Sequence, residues 1–171
     1  MALVKAFRGV SPRLTGAWVA ENATLVGDVE LGEDANVWYG CVLRGDMGRI
    51  RVGQRSNIQD MCCIHMTSDV SDTVIGNEVT VGHSVTIHGA VVEDGALIGM
   101  GALLLDNARI GEEAFVGAGS LVTANVVIPP RALVLGRPGK VVRILSAEEA
   151  AQGRKSALKY VKFAREHFGP A

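Results

Sequence analysis

An aliphatic residue recurs at every sixth position along most of the chain. The longest uninterrupted series runs over residues 92–134, and shorter series occupy residues 19–43, 52–64 and 75–87. The residue four places later is usually Ala, Ser or Cys, and Gly, Asp, Glu or Asn often fill the positions between. A β-sandwich would show irregular strand spacing, so this hexapeptide repeat indicates a solenoid of stacked units.

Each repeat predicts one short strand with a single apolar side chain that points inward. Such a unit cannot bury its apolar face alone, so successive units must stack on one another. Three strands make one triangular coil of a parallel β-helix, and coils stack about 4.8 Å apart through parallel strand pairing. The nineteen repeats between Val19 and Val134 predict an all-β domain of about six coils over residues 1–145. The spacing leaves the winding hand open.

The six-residue spacing is interrupted three times. Residues 43–52 contain an excess of three positions, residues 64–75 contain an excess of five within a polar stretch, and residues 87–92 are one position short. Loops that leave a regular scaffold are where binding residues usually lie. Because all three interruptions fall in the middle third of the chain, they predict a functional site there.

The six-residue pattern ends near Val142, and a helical pattern follows. Ser146 and Glu149 have the spacing of a capping box, in which each side chain bonds a backbone N–H of the other residue. Apolar positions then recur at helical spacing. This rough stripe consists of Leu158, Val161 and Phe168, with Ala164 or the polar Arg165 as its remaining position. We predict a second unit over residues 146–171, a C-terminal helix that is interrupted near Gly153 and packs on the β-helix.

Composition and charge narrow the class of protein. The 171 residues are 48% hydrophobic and 20% charged, which excludes a disordered chain. Seventeen basic residues against eighteen acidic ones give no electrostatic reason to expect a nucleic-acid partner or an anionic membrane surface. No apolar run approaches the ~20 residues of a membrane span, and no signal peptide is visible. Three cysteines fit reduced thiols in the cytoplasm, with Cys41 and Cys62 at inward core positions and Cys63 outside them.

Two histidines share one register position. His65 and His88 each follow the aliphatic residue that opens a repeat, and three repeats, or one full coil, separate them. They should therefore stack on one face, about one strand spacing apart. Arg44 occupies the same column one coil earlier. His167 falls in the predicted helix and is expected to be a polar surface residue.

His83 occupies a different column. Asp60 stands one coil below it, with Gln59 beside Asp60. The faces of a triangular prism point apart, so a neighbouring subunit in a three-fold ring is expected to bring His83 to His65 and His88. Three neutral imidazoles leave a fourth coordination position for water, as in catalytic zinc sites. The alternative is a set of polar residues on exposed strands, which the shared register of the histidines disfavours.

Several short stretches around these residues form a specific set. They are Arg44-Gly45-Asp46, Asn57-Ile58-Gln59-Asp60, Ile64-His65, Val79-Thr80-Val81-Gly82-His83, Ile87-His88-Gly89, Leu97-Ile98-Gly99-Met100-Gly101 and Val134-Leu135-Gly136-Arg137-Pro138-Gly139-Lys140. Together they resemble the γ-class carbonic anhydrases and their homologues, over roughly residues 15 to 145. The hexapeptide repeat by itself is less specific, because many acyltransferases share it.

The resemblance implies a left-handed parallel β-helix that assembles as a homotrimer with zinc at the subunit interfaces. His65 and His88 would be metal ligands from one subunit, and His83 would be the ligand from its neighbour. Fe²⁺ or Co²⁺ could take the place of Zn²⁺ in such a site. The implied reaction is that of a lyase, the reversible hydration of CO₂ to bicarbonate by metal-bound hydroxide.

The resemblance also implies roles for residues around the metal. Arg44 would form an intersubunit ion pair with Asp46 and Asp60, which holds together the interface that builds the site. Gln59 would position the hydroxide or the bicarbonate. These four residues are the catalytic-site members that the resemblance implies besides the histidines.

Two features depart from the family's archetype. Met47 stands where the archetype has a glutamate directly after the aspartate, and the loop after His65 is shorter, with Asp69 and Asp72 but no glutamate. The longer acidic loop of the archetype shuttles protons. The departures therefore bear on how fast a proton can leave the site rather than on metal binding.

Three other functions fit parts of the pattern. A metal-dependent acyl-CoA thioesterase would use the same three histidines. A hexapeptide acyltransferase would use one histidine as a general base on a CoA thioester and would need no metal. A metal-binding homologue with little activity would keep the site in a non-enzymatic assembly. Metal analysis separates the acyltransferase from the others, and assays of CO₂ hydration and acyl-CoA hydrolysis separate the rest.

Overall fold

Short parallel strands wind into a triangular β-helix in the computed structural model, which describes residues 2–169. Within these residues, twenty strands precede two helical segments. The strands are Leu3–Lys5 (β1), Arg13–Leu14 (β2), Trp18–Val19 (β3), Thr24–Leu31 (β4), Asn36–Val37 (β5), Val42–Val52 (β6), Asn57–Ile58 (β7), Cys63–His65 (β8), Thr73–Ile75 (β9), Thr80–Val81 (β10), Thr86–His88 (β11), Val91–Val92 (β12), Leu97–Ile98 (β13), Leu103–Leu104 (β14), Arg109–Ile110 (β15), Phe115–Val116 (β16), Leu121–Val122 (β17), Val127–Ile128 (β18), Ala132–Gly136 (β19) and Gly139–Ile144 (β20). The helical segments are Ala147–Ala150 (α1) and Gln152–Phe168 (α2).

Successive strands occupy three faces in turn, so each face is a stack of parallel strands. The first face stacks β1, β4, β6, β8, β11, β14 and β17. The second stacks β2, β4, β6, β9, β12, β15 and β18, because β4 and β6 continue around the corner. The third stacks β3, β5, β7, β10, β13, β16 and β19. The predicted parallel β-helix is confirmed, with about seven turns.

The additional turn lies at the N-terminal end, ahead of the first predicted repeat. In it Leu3 pairs with Thr24 on the first face, and Arg13 pairs with Glu30 on the second. The residues of β1 and β2 are exposed to solvent, so this end turn does not need an inward aliphatic side chain at every sixth position. The six-residue count predicted about six turns because the end turn carries no such signal.

The aliphatic positions of the repeat form the core. All of them are buried except Val19, which is partly exposed near the N-terminal end. On the first face Leu43, Ile64 and Ile87 stack on one another in successive turns. Burial of one such side chain contributes about 1.5–3 kcal/mol, so each turn depends on its neighbours for stability. The cysteines follow the prediction, with two thiols in the core and one exposed: Cys41, Cys62 and Cys63.

The C-terminal end of the third face is closed by a hairpin. β19 and β20 pair in antiparallel orientation, in contrast to the parallel stacking elsewhere on this face. The connection contains Arg137 and Pro138, which are joined by a cis peptide bond. This connection is therefore a hairpin turn that directs the chain towards the helix.

One corner of the prism binds the C-terminal helix. Successive turns place a residue with left-handed backbone at this corner, between the second and third faces, and one of them is Gly95, with φ +69°. The guanidinium of Arg154 packs where a side chain on Gly95 would stand. It binds Glu78, Glu112 and Glu113 at 2.8, 2.7 and 2.9 Å. The helix is thus held on this corner by three salt bridges of Arg154 as well as by apolar contacts.

The C-terminal helix begins where the sequence predicted. Ser146 is the N-cap of α1 and forms the capping box with Glu149. The break falls at Ala151, between α1 and α2, whereas Gly153, near which the interruption was expected, lies inside α2. A Cβ atom on Gly153 would collide with the backbone oxygen of Gly95. Glycine at this position therefore allows the helix to pack closely on the corner.

The buried face of α2 is a row of small residues with one valine. Gly153, Ala157, Val161 and Ala164 are buried. The predicted stripe is right at Val161 and Ala164 and wrong at Leu158, which is 44% exposed. Because the helix lies so close to the β-helix, small side chains face the contact and the larger leucine is left outside it. Neither helical segment of the described chain combines the length and the apolar composition needed to cross a bilayer.

Candidate metal centre

The three interruptions of the repeat lie at one corner of the prism, between the first and second faces. The ladder between β4 and β6 is interrupted there, and residues 46–49 protrude from it. One turn later residues 66–72, here termed the corner loop, connect β8 to β9. In the following turn residues 89–90 make a short connection between β11 and β12. The three interruptions that predicted a functional site in the middle third of the chain therefore lie along a single edge of the molecule.

His65 and His88 stand at this edge on adjacent strands. They pair in register, as the repeat predicted, and Nδ1 of His65 lies 3.3 Å from Nε2 of His88. Two nitrogens that each lie about 2.0–2.1 Å from a tetrahedral zinc ion are about 3.3–3.4 Å apart. The facing nitrogens of His65 and His88 are therefore already at the distance expected of two ligands on one zinc ion. Pairing of Leu43 with Ile64 places Arg44 in the same column.

A carboxylate holds the other nitrogen of His65. Nε2 of His65 lies 3.1 Å from Oδ1 of Asp46, and Asp46 also accepts hydrogen bonds from Arg44 at 2.9 and 2.7 Å. Burial, together with the nearby Arg44 and His88, lowers the pKa of His65 below its ordinary value although Asp46 acts to raise it, so the ring is neutral near pH 7. With the Nε2 proton donated to Asp46, the Nδ1 lone pair is free, which is the form that binds a metal ion.

Asp106 lies beside the other member of the pair. Its Oδ1 is 3.4 Å from Nδ1 of His88, and its carboxylate accepts hydrogen bonds from Ser71 at 2.5 Å and from Thr67 at 2.9 Å. Burial would raise the pKa of Asp106, but the two hydroxyl groups and the nearby imidazole lower it below its ordinary value. Asp106 is therefore ionised, and Nε2 of His88 is the nitrogen that faces His65.

The sequence-based site does not include Asp106, although the register contains a signal for it. Leu104 pairs with Ile87 in the adjacent turn, which places Asp106 one turn beyond Gly89, the residue after His88. The predicted pair of Asp60 and His83 shares one register position in adjacent turns, whereas Asp106 is displaced by one residue from the register position of His88. No sequence signal indicated that Ser71 and Thr67 of the corner loop bind Asp106, because the loop lies outside the repeat.

His83 lies on a different edge of the prism, in the turn between β10 and β11. Its Nδ1 is 2.8 Å from Oδ2 of Asp60, which leaves Nε2 free, and its side chain is 44% exposed. Gln59, the residue before Asp60, is buried, and its Nε2 donates to Oδ1 of Asn57 at 3.1 Å. Gln59, Asp60 and His83 thus group together on their own edge, as the register indicated.

One chain therefore carries two half-sites on two edges. His65 and His88 form one half-site, and His83 forms the other. Within residues 2–169 of a single chain, no group of three or more His, Cys, Asp or Glu side chains converges in a way that could hold a metal ion. Arg44 pairs with Asp46 of its own chain at 2.7 Å, and the intersubunit role that the resemblance implies for it stays a prediction.

The donor set nevertheless fits a metal ion. In each of the three histidines one ring nitrogen faces a carboxylate and the other does not; the carboxylates belong to Asp46, Asp60 and Asp106. Histidines that bind metals show this pattern, because the carboxylate fixes the tautomer and the orientation of the ring. Imidazoles prefer zinc and related transition metals to calcium or magnesium. If half-sites of neighbouring copies meet, three imidazoles become available to one ion with a coordination position left open.

An aromatic cleft adjoins the His83 half-site. Trp38 packs edge-to-face on Tyr160 of α2, with ring centroids 5.4 Å apart, and both line a cleft of about 420 Å³ together with Tyr39 and Asp60. Trp38 and Tyr39 directly follow β5 and cover the third face where α2 packs on it. His167, which was expected to be a simple surface residue, places its Nε2 2.6 Å from the hydroxyl of Tyr39 and so helps to dock α2.

Comparisons with known proteins support the fold and find relatives that are named carbonic anhydrases and transferases. A family model described as "Bacterial transferase hexapeptide (six repeats)" matches residues 89–124. The chain is 47% identical over 144 residues to a probable carbonic anhydrase of Methanocaldococcus jannaschii, which covers 84% of this chain and 90% of that protein. It is 42% identical over 156 residues to the mitochondrial gamma carbonic anhydrase 1 of Arabidopsis thaliana, covering 88% of this chain and 57% of that protein. The crystal structure of a putative acetyltransferase of Bacillus cereus superimposes with a TM-score of 0.94 at 38% identity and covers 97% of this chain and 96% of its own.

Proposed function

The chain belongs to the γ-class carbonic anhydrase family of hexapeptide-repeat proteins, and we propose that it is a zinc enzyme of that type, which catalyses the reversible hydration of CO₂ to bicarbonate. The observation that carries the proposal is the 3.3 Å separation of the facing nitrogens of His65 and His88. This is the separation of two ligands on one tetrahedral ion. The relatives that are named carbonic anhydrases support the same reaction.

The metal would be shared between the subunits of a homotrimer. His65 and His88 of one subunit and His83 of the partner subunit would bind it, because a single chain keeps its two half-sites on separate edges. A closed three-fold ring joins one edge of each subunit to the other edge of the next, which gives three equivalent sites. Zinc held by three imidazoles supplies hydroxide near neutral pH. Fe²⁺ or Co²⁺ would be accepted by the same donors.

The carboxylates beside the histidines would orient the imidazole rings before the metal binds. Asp46 keeps His65 in the tautomer whose Nδ1 is free, and Asp60 leaves Nε2 of His83 free. Because the rings are oriented before the metal arrives, binding requires little reorganisation. Gln59 directly precedes Asp60 in the chain, and it is the residue that we expect to hold the substrate through its side-chain amide.

Hydration also releases one proton for each bicarbonate, and that proton must leave the site. Burial would raise the pKa of Asp72 in the corner loop, but hydrogen bonds from Arg49, the shortest of them 2.7 Å, lower it. A carboxylate held in this way is a poor proton acceptor near pH 7. Met47, the residue after Asp46, is 49% exposed and has no group that titrates. The acceptor in this proposal is therefore the solvent buffer.

A second candidate is chemistry on a CoA thioester. It is favoured by the similarity to a structure described as a putative acetyltransferase and by the transferase hexapeptide match. A metal-dependent thioesterase would use the same three histidines. An acyltransferase would need only one of them as a general base, and it does not account for a carboxylate beside each of the three rings.

Mixed trimers test whether one site draws on two subunits. His83→Ala and His65→Ala chains should each assemble without tight metal binding. In a co-assembled trimer, one interface keeps all three histidines, so binding should return at one ion per mixed trimer. The matched control mixes His65→Ala with His88→Ala. Both of these changes fall in the same half-site, so that mixture should recover no binding.

Metal content of anaerobically purified protein and the CO₂ hydration rate of the same samples are the two measurements. We expect both to return together in the first mixture, and hydration by the wild-type protein to rise with buffer concentration. A wild-type protein that is monomeric or binds no metal would overturn the proposal. A metal-containing protein that hydrolyses acyl-CoA but does not hydrate CO₂ would establish the thioesterase instead.

A further inference from the structure

The carboxylate of Asp106 joins the corner loop to a candidate metal ligand. Ser71 donates to its Oδ1 at 2.5 Å, and Thr67 donates to its Oδ2 at 2.9 Å. Both ends of the corner loop are therefore bound to one side chain. The same Oδ1 lies 3.4 Å from Nδ1 of His88, so a single carboxylate contacts the loop twice and the ligand once.

Gly89 makes room for this arrangement. The residue directly follows His88 and has a left-handed φ of +71°. A Cβ atom on Gly89 would collide with the hydroxyl of Ser71 and with the carboxylate of Asp106. Because position 89 has no side chain, the hydroxyl of Ser71 and the carboxylate of Asp106 occupy the space beside His88 that a side chain would take.

A second contact ties the corner loop to the backbone of both ligand strands. Thr73, the residue that follows the loop, is fully buried. Its hydroxyl donates to the carbonyl oxygen of His65 at 2.6 Å and accepts from the N–H of Gly89 at 3.0 Å. The loop thus leaves the strand at His65 and returns onto the same residue. Its order and the positions of the two ligands depend on shared hydrogen bonds.

We propose that Asp106 is a positioning residue that couples the order of the corner loop to metal binding by His88; the inference rests on the proposed function. In the ordered loop, Ser71 and Thr67 hold the carboxylate 3.4 Å from Nδ1 of His88, where its negative charge favours a proton on that nitrogen. The Nε2 lone pair then faces His65. When the loop is disordered, the carboxylate is free to rotate and the tautomer of His88 is no longer fixed. Because linkage is reciprocal, metal binding should in turn order the loop.

Two variants test the charge of Asp106 and the hydrogen bond from Ser71 separately. Asp106→Asn keeps the size of the side chain but loses the negative charge and one acceptor oxygen. Ser71→Ala removes the 2.5 Å bond from the loop and leaves the carboxylate in place. The matched control is Asp94→Asn, because Asp94 also accepts two hydrogen bonds, from Asn77 at 2.8 and 3.1 Å, at a different corner of the prism.

Metal-free protein gives the first readouts. We expect imidazole ¹⁵N shifts of His88 to show the proton on Nδ1 in the wild type and a mixture of tautomers in Asp106→Asn. Amide hydrogen exchange of residues 67–72 should be about tenfold faster in both test variants, since each loses a hydrogen bond that closes the loop. Asp94→Asn should exchange at the wild-type rate in this segment.

Zinc affinity, measured by competition with a chromophoric chelator, is the second readout. We expect a loss of roughly 10–100-fold in Asp106→Asn, a smaller loss in Ser71→Ala and no change in Asp94→Asn. Saturating zinc should slow hydrogen exchange of the corner loop in the wild type, and this protection should be absent in Asp106→Asn.

Wild-type zinc affinity in Asp106→Asn, or a corner loop that exchanges equally fast with and without zinc, would overturn the inference. These outcomes differ from a failure of the proposed function. If the wild type binds zinc but does not hydrate CO₂, the function fails and the coupling is still measured. If the wild type binds no zinc, both fail, and the ¹⁵N shifts and loop exchange of the metal-free protein still decide whether Asp106 holds the loop.

Discussion

Two glycines with the same backbone conformation differ in what surrounds them. Gly89 and Gly101 have left-handed φ values of +71° and +66°. A side chain on Gly101 would meet nothing within 4 Å, whereas one on Gly89 would collide with Ser71 and Asp106 beside a candidate metal ligand. At the residue scale, crowding distinguishes the glycine of the site from a glycine that is needed only for its turn.

Replacing each glycine by alanine separates the cost of a left-handed backbone from the cost of crowding. Both variants carry the penalty of a left-handed backbone, about 1 kcal/mol. We expect Gly89→Ala to lose about 1–3 kcal/mol more unfolding free energy than Gly101→Ala, because it must also displace packed groups. Denaturant unfolding at one protein concentration measures the difference. Equal losses in the two variants would mean that Ser71 and Asp106 move aside freely.

At the scale of the element, one carboxylate holds the start of α1. Glu149 accepts a hydrogen bond from the backbone N–H of Ser146 at 2.9 Å, and both of its oxygens accept from Arg143 of β20 at 2.7 Å. The hydrogen bonds from Arg143 and Ser146 lower the pKa of Glu149 from 4.5 to about 2. The contact lies at the surface, yet it links the last strand to the helix.

This lowered pKa predicts a pH dependence. A carboxylate whose pKa is lower in the folded state contributes stability above its ordinary pKa and loses that contribution as the pH falls through the folded value. The contribution of Glu149 is therefore present above pH 4.5 and is lost between pH 4.5 and about 2. Glu149→Gln should lower the thermal unfolding midpoint near neutral pH, and its difference from the wild type should shrink at about pH 3.

The control for this experiment is the neighbouring acidic residue of α1. Glu148→Gln leaves the contacts between Ser146, Glu149 and Arg143 in place, so it should not reproduce the pH-dependent difference. A difference between Glu149→Gln and the wild type that stays constant from neutral pH to about pH 3 would contradict the assignment.

At the scale of the whole molecule, the two half-sites stand on different edges. A single chain therefore does not bring His65, His88 and His83 together around one ion. Arg44 stands in the histidine column and binds Asp46, whose side chain is only 16% exposed within one chain. In the proposed trimer this ion pair lies beside the shared metal. Removal of the cation would leave Asp46 with only the neutral His65 as a partner, and burying such a carboxylate in the proposed interface is strongly unfavourable.

Arg44→Ala should therefore weaken the trimer and raise the subunit dissociation constant by about tenfold or more. Arg49→Ala is the matched control, because Arg49 also binds one carboxylate at 2.7 Å, that of Asp72, but stands outside the histidine column. Sedimentation velocity over a dilution series measures both variants. If Arg44→Ala remains as trimeric as the wild type at every dilution, the ion pair does not support assembly.

Register along the chain could be read from the sequence alone. Parallel strands stack residues that share an offset within the repeat, so the pairing of His65 with His88 and the proximity of Asp60 to His83 follow from the sequence. The buried aliphatic columns followed from the same period. The capping box at Ser146 was equally accessible, because it requires only two residue types at a fixed local spacing.

Distances across the corners were decided only by the tertiary structure. Asp106 and His88 meet beside the hydroxyl of Ser71, which belongs to a loop that no repeat specifies. Gly153 is needed because the helix approaches the backbone of Gly95, a contact between segments far apart in the chain. A six-residue period determines which residues stack, because every turn repeats the same ladder. It does not determine how irregular segments fold back on that ladder, because their conformation depends on contacts that form only after the turns have assembled.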